Sequence, residues 1–286
     1  MKHSGLWSIL LAALLGSCSR RQPLYIEDGS RSYEVVVVAD RNDSLHHLLS
    51  EPMIGLPQNE PLFDVVSMTK AEVEAGKAAG RPVIYFSDTT RFWAASPADN
   101  HGQLMVWTDG SKVRELQRYL LDAEQIRMRW QLIRQPHTKA EAEIAKMFHI
   151  DMRVPAELTA MKRGRDFLWL SNNAADGMKN IVLFRDHSQL SFPQNVDSVL
   201  QVNIPGEETG MYMRLATWQA GDEIEMRHPD PSLLCTMNSV LQWRGLWEMK
   251  GDAMGGPYIM KAFLSKDFWI LGFVYAPGSK KRNLIR

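Results

Sequence analysis

Cysteine is scarce in this sequence, where Cys18 and Cys235 are the two among 286 residues. A set of disulfides therefore cannot hold the chain together, and its stability must come from a packed core. An excess of one charge is also lacking, because 33 basic residues balance 33 acidic ones. A balanced chain has no general electrostatic attraction to nucleic acid, so we expect no nucleic-acid partner.

Long apolar runs are lacking as well. The stretch Leu6–Leu15 is shorter than the roughly 20 residues that a membrane-spanning helix needs. It follows the polar residues Lys2 and His3 and precedes small residues, which is the layout of a secretory signal peptide. We therefore predict that residues 1–17 are removed and that residues 18–32 form a tether.

The end of the signal, Leu15-Gly16-Ser17-Cys18, resembles the lipobox of bacterial lipoproteins. The resemblance implies that the Cys18 thiol carries a diacylglycerol and becomes the new N-terminus. Several acyl chains hold a protein at a membrane, since each buried methylene contributes about 0.8 kcal/mol. No acidic pair follows Cys18, which favours an outer-membrane anchor facing the periplasm over surface export. The alternatives are an ordinary cleaved signal and a short anchor.

Hydrophobic patterning predicts an α+β fold, with largely antiparallel sheets packed against helices. Residues 33–150 are expected to form an N-terminal α+β half and residues 151–286 a strand-rich C-terminal half, and the two could make one continuous domain. Three successive antiparallel strands are predicted at Val240–Met249, Pro257–Leu264 and Phe268–Tyr275, because short turn segments separate them.

A long helix is predicted from Ser111 to about Arg134, because apolar residues recur at steps of three and four. The apolar stripe consists of Leu116, Leu120, Ala123, Ile126, Trp130 and Ile133. Similar strand, Gly-Ser and helix segments at 106–116 and 274–284 suggest two duplicated β-α-β-β units joined by this helix. Chance similarity at strand-to-helix turns is the alternative.

The stretch Arg244–Pro257, with the sequence RGLWEMKGDAMGGP, resembles a family of Bacteroidota lipoproteins known as domain of unknown function 4837. Segments at 55–58, 166–173 and 272–284 resemble the family too, so the resemblance extends over the mature chain. It implies a lipid-anchored envelope location and brings no activity with it.

The glycine-rich turn that follows Arg244 is the strongest candidate for a ligand site. Its candidate residues are Arg244, Lys250, Asp252, Gly255 and Gly256. Glycines allow a ligand to approach the backbone, and the charged side chains could hold its polar groups. The spacing is not that of a phosphate-binding P-loop, and a strand follows instead of a helix. A shaped hairpin turn with a polar surface is the alternative interpretation.

Catalytic and metal-binding motifs are lacking. The sequence contains no Gly-x-Ser-x-Gly elbow and no His-x-x-x-His pair. We therefore predict no enzymatic activity, no metal and no cofactor. The leading hypothesis is a non-enzymatic binding or envelope-assembly protein with another envelope protein as partner. The alternatives are a hydrolase of an envelope polymer that uses carboxylates from distant segments, and a carrier of an apolar ligand in a groove near the chain end.

Overall fold

The computed structural model describes residues 32–38, 44–87, 93–95, 103–188, 190–217, 219–220, 240–263 and 267–285. The predictions for the signal peptide and Cys18 lie outside these residues, as does the predicted tether except for Ser32. The strands are β1 (Glu34–Val38), β2 (Asp64–Met68), β3 (Val83–Phe86), β4 (Trp93–Ala95), β5 (Met105–Thr108), β6 (Ala160–Arg163), β7 (Phe167–Ser171), β8 (Met178–Phe184), β9 (Tyr212–Leu215), β10 (Gln219–Ala220), β11 (Val240–Lys250), β12 (Gly255–Phe263) and β13 (Phe268–Tyr275). The helices are α1 (Ser44–Leu49), α2 (Lys70–Glu74), α3 (Val113–Arg134), α4 (Thr138–Phe148), α5 (Gln194–Asn203) and α6 (Arg282–Ile285). The predicted α+β class is confirmed.

The first sheet has the order β2-β1-β3-β5-β4, in which the first four strands are parallel and β4 is antiparallel. All five residues of β1 are buried. Val35 and Val37 belong to the core cluster shared with α1 and α3, whereas Val36 and Val38 pack with Ala78 on the other face. Burial on both faces is typical of parallel strands. This half therefore differs from the antiparallel arrangement that the sequence predicted.

The second sheet has the order β10-β11-β12-β13-β8-β7-β6, and β9 also pairs with β11. Every pair in it is antiparallel, and the three successive strands predicted near the C-terminus are confirmed as β11, β12 and β13. Side chains alternate between its two faces. One face packs on α5 through residues such as Trp247, Met260 and Leu271, and we call it the packed face. The opposite face, which carries Arg244 and Ile259, is the cleft face.

The two sheets have different topologies. Helices connect β1 to β2 and β2 to β3 in the parallel sheet, whereas β11, β12 and β13 follow one another directly. A duplicated unit would repeat both the order and the direction of its strands. The topology therefore gives no support to the predicted duplication, and the sequence echo is a similarity between two strand-to-helix turns.

The first half of helix α3 packs in the core, whereas apolar residues of its second half are exposed. Leu116 and Leu120 are fully buried in the core cluster that contains Val35 and Val37, as the apolar stripe predicted. Farther along, Ile126 is 49% exposed and Ile133 is 48% exposed, while Glu124 is only 4% exposed. The stripe therefore holds as far as Ala123, which packs against the same cluster, and is wrong at Ile126 and Ile133, which are exposed on the second half of α3. No helix among the described residues is long and apolar enough to cross a membrane.

Candidate functional site: a cleft between helix α3 and the antiparallel sheet

A cleft of about 590 Å³ lies between α3 and the cleft face of the second sheet. Its volume falls within the range of small-molecule sites, about 300–1,000 Å³. One side of α3 forms its first wall, with Arg118, Leu121, Asp122, Gln125 and Met128 at helical spacing. Strands β8, β11, β12 and β13 form the opposite wall. The site thus joins the N-terminal and C-terminal halves of the chain.

Strand register arranges the sheet wall in two rows. The first row is Gln242, Lys261 and Ile270, and the second is Arg244, Ile259, Gly272 and Ile181. In each row the polar residues lie on β11 and β12, whereas the residues on β13 and β8 carry no polar side chain. Within these two rows the side chains therefore change from polar to apolar across the strands, whereas Lys179 on β8, opposite Val274, adds a charge in the next row.

Gly272 leaves space in the floor of the cleft. A Cβ atom at this position would have its nearest neighbours at 3.9 Å, the carbonyl oxygen of Ile259, and 4.0 Å, that of Asn180. Glycine inside a strand weakens it, so its presence often marks a close approach by a ligand or another chain. Here the missing side chain deepens the cleft next to Ile259 and Ile181.

A polar cluster of the buried residues Glu60 and Arg282 with the half-buried Asp64, which we call the Arg282 cluster, fixes α6 beside the cleft. Arg282 is completely buried, and its guanidinium donates to Asp64 Oδ2 and to the carbonyl oxygen of Pro61, both at 2.6 Å. The Glu60 carboxylate accepts the backbone N–H groups of Lys281 at 2.8 Å and Arg282 at 2.9 Å. These contacts satisfy N–H groups that have no partner within such a short helix.

The Arg282 cluster positions three residues that line the cleft. The guanidinium carbon of Arg282 lies 5.7 Å from the centre of the Tyr33 ring, and α6 carries Leu284 and Ile285 into the cleft wall.

Burial alone would raise the pKa of the Asp64 carboxyl. The hydrogen bond and charge of Arg282, with the charge of Lys280, outweigh that effect and hold the pKa below its usual value of 3.8.

The five residues predicted as a ligand site do not come together. Arg244 lines the cleft, whereas Lys250 and Asp252 are exposed at the β11–β12 turn. Arg244 and Lys250 are six positions apart on an extended strand, a distance of about 20 Å. The described structure thus places one of the predicted side chains in the cleft and the charged residues of the turn far from it.

Gly255 and Gly256 have a packing role at the start of β12. A Cβ atom on Gly256 would lie 2.1 Å from the carbonyl oxygen of Val274, and one on Gly255 would lie 2.9 Å from that of Trp247. The bare backbone also gives the Trp247 indole N–H access to the Val274 carbonyl, to which it donates at 3.1 Å. These contacts favour the interpretation of the motif as a shaped hairpin turn.

Sequence analysis missed Lys261, Gly272, Gln242 and Arg118, which line the cleft with Arg244. Two features of the sequence could have indicated residues of this site. Lys261 interrupts an otherwise apolar strand, and Gly272 lies inside the strand FWILGFVY. Either feature in a strand points to a special environment.

Other perturbed groups lie away from the cleft. Burial raises the pKa of the Asp197 carboxyl, which accepts the Leu215 N–H at 2.8 Å. Burial also raises the pKa of the Tyr258 hydroxyl, which donates to the carbonyl oxygen of Thr217 at 3.1 Å. Asp197 is on α5 and Tyr258 is on the packed face, so both groups have structural roles. Within the described ranges, no group of three or more His, Cys, Asp and Glu side chains is placed to hold a metal ion.

The fold and the cleft define an α+β protein with one parallel and one antiparallel sheet. Residues 137–286, more than half of the chain, match the sequence model of a family described as domain of unknown function (DUF4837). The chain belongs to this family. The matched range includes all strands of the cleft wall but not α3. Comparisons with curated proteins and with solved structures each returned no match.

Proposed function

We propose that the mature protein is a lipid-anchored protein of the cell envelope that binds a small ligand in the cleft and catalyses no reaction. The observation that carries the proposal is the cleft of about 590 Å³ with Arg244 and Lys261 beside an apolar floor. Sites of this kind combine mostly apolar walls with a few polar groups that fix the orientation of the ligand. The proposal thereby joins the binding-protein and carrier hypotheses.

The location in this proposal comes from the N-terminal sequence. The lipobox-like segment Leu15–Cys18 supports lipidation at Cys18, and the tether that follows would keep the domain near the outer membrane on its periplasmic side. An intact-mass measurement on membrane-extracted protein should show the loss of residues 1–17 and an added acylated glyceryl group. A mass that includes Met1 would contradict this location without bearing on the cleft.

A carboxylate-dependent hydrolase gains no support from this geometry. Among the described residues that line the cleft, Asp122 provides the one carboxylate. Hydrolysis of a glycosidic bond by paired carboxylates needs a second one within about 5–10 Å. An envelope protein could still dock beside the cleft, but the contacts described above favour a small ligand.

Native mass spectrometry of the full chain tests ligand binding without assuming the identity of the ligand. Protein extracted from its own membranes in mild detergent should carry a bound mass. The substitution Gly272→Leu, which fills the floor of the cleft, should remove it. Gly278→Ala is the matched control, because a Cβ atom there would meet nothing within 4 Å. An unliganded wild-type chain, or a bound mass that persists in Gly272→Leu, would contradict the proposal.

A further inference from the structure

We infer that the ligand of the cleft is a single-chain anionic amphiphile, with an oxyanion head at Arg244 and Lys261 and an alkyl chain over Gly272. The inference rests on the proposed function and specifies its ligand. Charge is the first argument. Four basic residues line the cleft, namely Arg118, Lys179, Arg244 and Lys261, against the single described carboxylate of Asp122. The described lining residues thus have a formal charge of 4 − 1 = +3, whereas the whole chain has a net charge of zero.

Strand register is the second argument, because it directs two of these charges to one place. Arg244 is opposite Ile259, and Gln242 is opposite Lys261. Arg244 and Lys261 are therefore diagonal neighbours on the same face, about 7–8 Å apart between backbones. Both side chains are long enough to contact one oxyanion between them. An oxyanion there would accept charge-assisted hydrogen bonds, which are stronger than those a neutral group accepts.

Arg244 and Lys261 suit this role better than the other two basic residues. Lys179 lies on β8, which β13 separates from β12, so it is farther from the other two strand residues. Arg118 is exposed on α3, on the opposite wall of the cleft. The strand pair instead holds its two residues on rigid backbone, with the amide of the buried Gln242 in the same row as Lys261.

The apolar floor is the third argument. Gly272 lies beside Ile259 on one side and Ile181 on the other. Both isoleucines are half-buried and line the cleft. Covering partly exposed aliphatic side chains is favourable in proportion to the apolar area removed from water. The space above Gly272 accepts an alkyl chain, and Leu121 and Met128 line the cleft from α3.

Calorimetric titration with matched probes tests the class of ligand. The full chain is used with Cys18→Ser, so that no acyl chain of its own competes for the cleft. The probes are octyl phosphate, octanoate, octanol and inorganic phosphate. We expect the two anionic amphiphiles to bind at least about tenfold more tightly than octanol, because octanol lacks charge-assisted hydrogen bonds. Inorganic phosphate should also bind more weakly, because it lacks the chain. The tighter anionic probe is then repeated with the wild-type chain.

Two variants test separately how the charged head and the alkyl chain of the ligand are bound. The double substitution Arg244→Gln and Lys261→Gln should weaken octyl phosphate at least about tenfold and leave octanol unchanged. Lys250→Gln is the matched control, because Lys250 is exposed on the same strand and face but outside the cleft. Gly272→Leu should weaken every alkyl probe, and Gly278→Ala should weaken none. Circular dichroism confirms the fold of each variant before titration.

Three outcomes would overturn the inferred ligand class. They are octanol binding as tightly as octyl phosphate, an unchanged affinity in the double variant, and the absence of binding by any probe. In each case the proposed function still stands if membrane-extracted protein carries a ligand that Gly272→Leu removes. If that ligand is also missing, the proposed function fails as well, so the two failures are distinguishable.

Discussion

The two faces of the antiparallel sheet are built from the same strands, yet one is closed and the other is open. On the packed face, Phe192, Trp243, Trp269 and Phe184 form a continuous row of stacked rings with centroid separations of 4.6, 5.6 and 6.1 Å. On the cleft face, the adjacent positions carry Arg244, Lys261 and Gly272. Apolar residues of α4 cover one part of this face, around Leu183, and Ile285 of α6 covers another, around Val274. The cleft lies between these two parts.

The difference shows where the sheet serves stability and where it serves binding. Aromatic pairs and buried aliphatic residues on the packed face exclude water and hold α5 in place. A basic pair and a glycine on the opposite face add little to packing, so a ligand site explains them better than a core does. The comparison can be tested one residue at a time, because substitutions on the two faces should lower the free energy of unfolding by different amounts.

Trp247→Ala should have the largest effect. The Trp247 ring is 3% exposed, packs edge-on to Phe273 at 5.1 Å and donates to the Val274 carbonyl. Its truncation should lower the free energy of unfolding by about 3–5 kcal/mol, measured by urea denaturation. Leu241→Ala, at a side chain that is 44% exposed on the same strand, serves as the control and should cost about 0.5 kcal/mol or less. A loss below about 1 kcal/mol for Trp247→Ala would mean that the packed face is not the stabilising one.

Gly256→Ala should have the next largest effect. The added Cβ atom would lie 2.1 Å from the Val274 carbonyl oxygen, so strands β12 and β13 must separate or shift. We expect a loss of about 1–3 kcal/mol in the free energy of unfolding, again by urea denaturation. Gly278→Ala adds a Cβ atom that meets nothing within 4 Å and provides the comparison. Equal stability of the two variants would contradict the packing role assigned to Gly256.

Acidification should weaken the Arg282 cluster beside the cleft. The pKa of Asp64 is lowered in the folded state, so its contribution is complete above the unfolded value of 3.8 and is lost as the pH falls through the folded value. The difference in unfolding free energy between the wild type and Asp64→Asn should therefore be constant near pH 6 and shrink below pH 3.8. The effect should be modest, because the Asp64 side chain is 35% exposed.

A double-mutant cycle provides the control for Asp64. In an Arg282→Met background the main partner of the carboxylate is gone, so Asp64→Asn should show little of this pH dependence. Urea denaturation between about pH 6 and pH 3 measures all four chains. A difference that grows on acidification would have the wrong sign and would contradict the lowered pKa.

Local pattern was enough to predict much of the C-terminal half. The side chains of β11 alternate, and this pattern alone predicts Trp247 and Met249 on one face and Arg244 on the other, as the structure has them. The parallel sheet was harder to predict from the sequence. The run EVVVV in β1 is typical of a buried strand, but strand direction depends on the helices that connect it to β2 and β3.

The cleft and the Arg282 cluster were beyond local pattern for a physical reason. Arg282 binds Asp64 across 218 positions of sequence, and nothing near Arg282 predicts a fully buried guanidinium. The cleft needs α3 and four strands from the other half of the chain. Gly272 becomes informative only when its neighbours on β12 and β8 are known.

Gly272→Ala should have the smallest effect on stability. The new Cβ atom would meet nothing closer than 3.9 Å, so no strand has to move. Replacing glycine at a compatible position stabilises a protein by about 0.4–1 kcal/mol, because the unfolded chain loses freedom. We therefore expect urea denaturation to show a small gain, in contrast to Gly255→Ala, whose Cβ atom would lie 2.9 Å from the Trp247 carbonyl oxygen. A loss above about 1 kcal/mol for Gly272→Ala would mean that the floor of the cleft is closed packing, and the distinction between the two faces would fail.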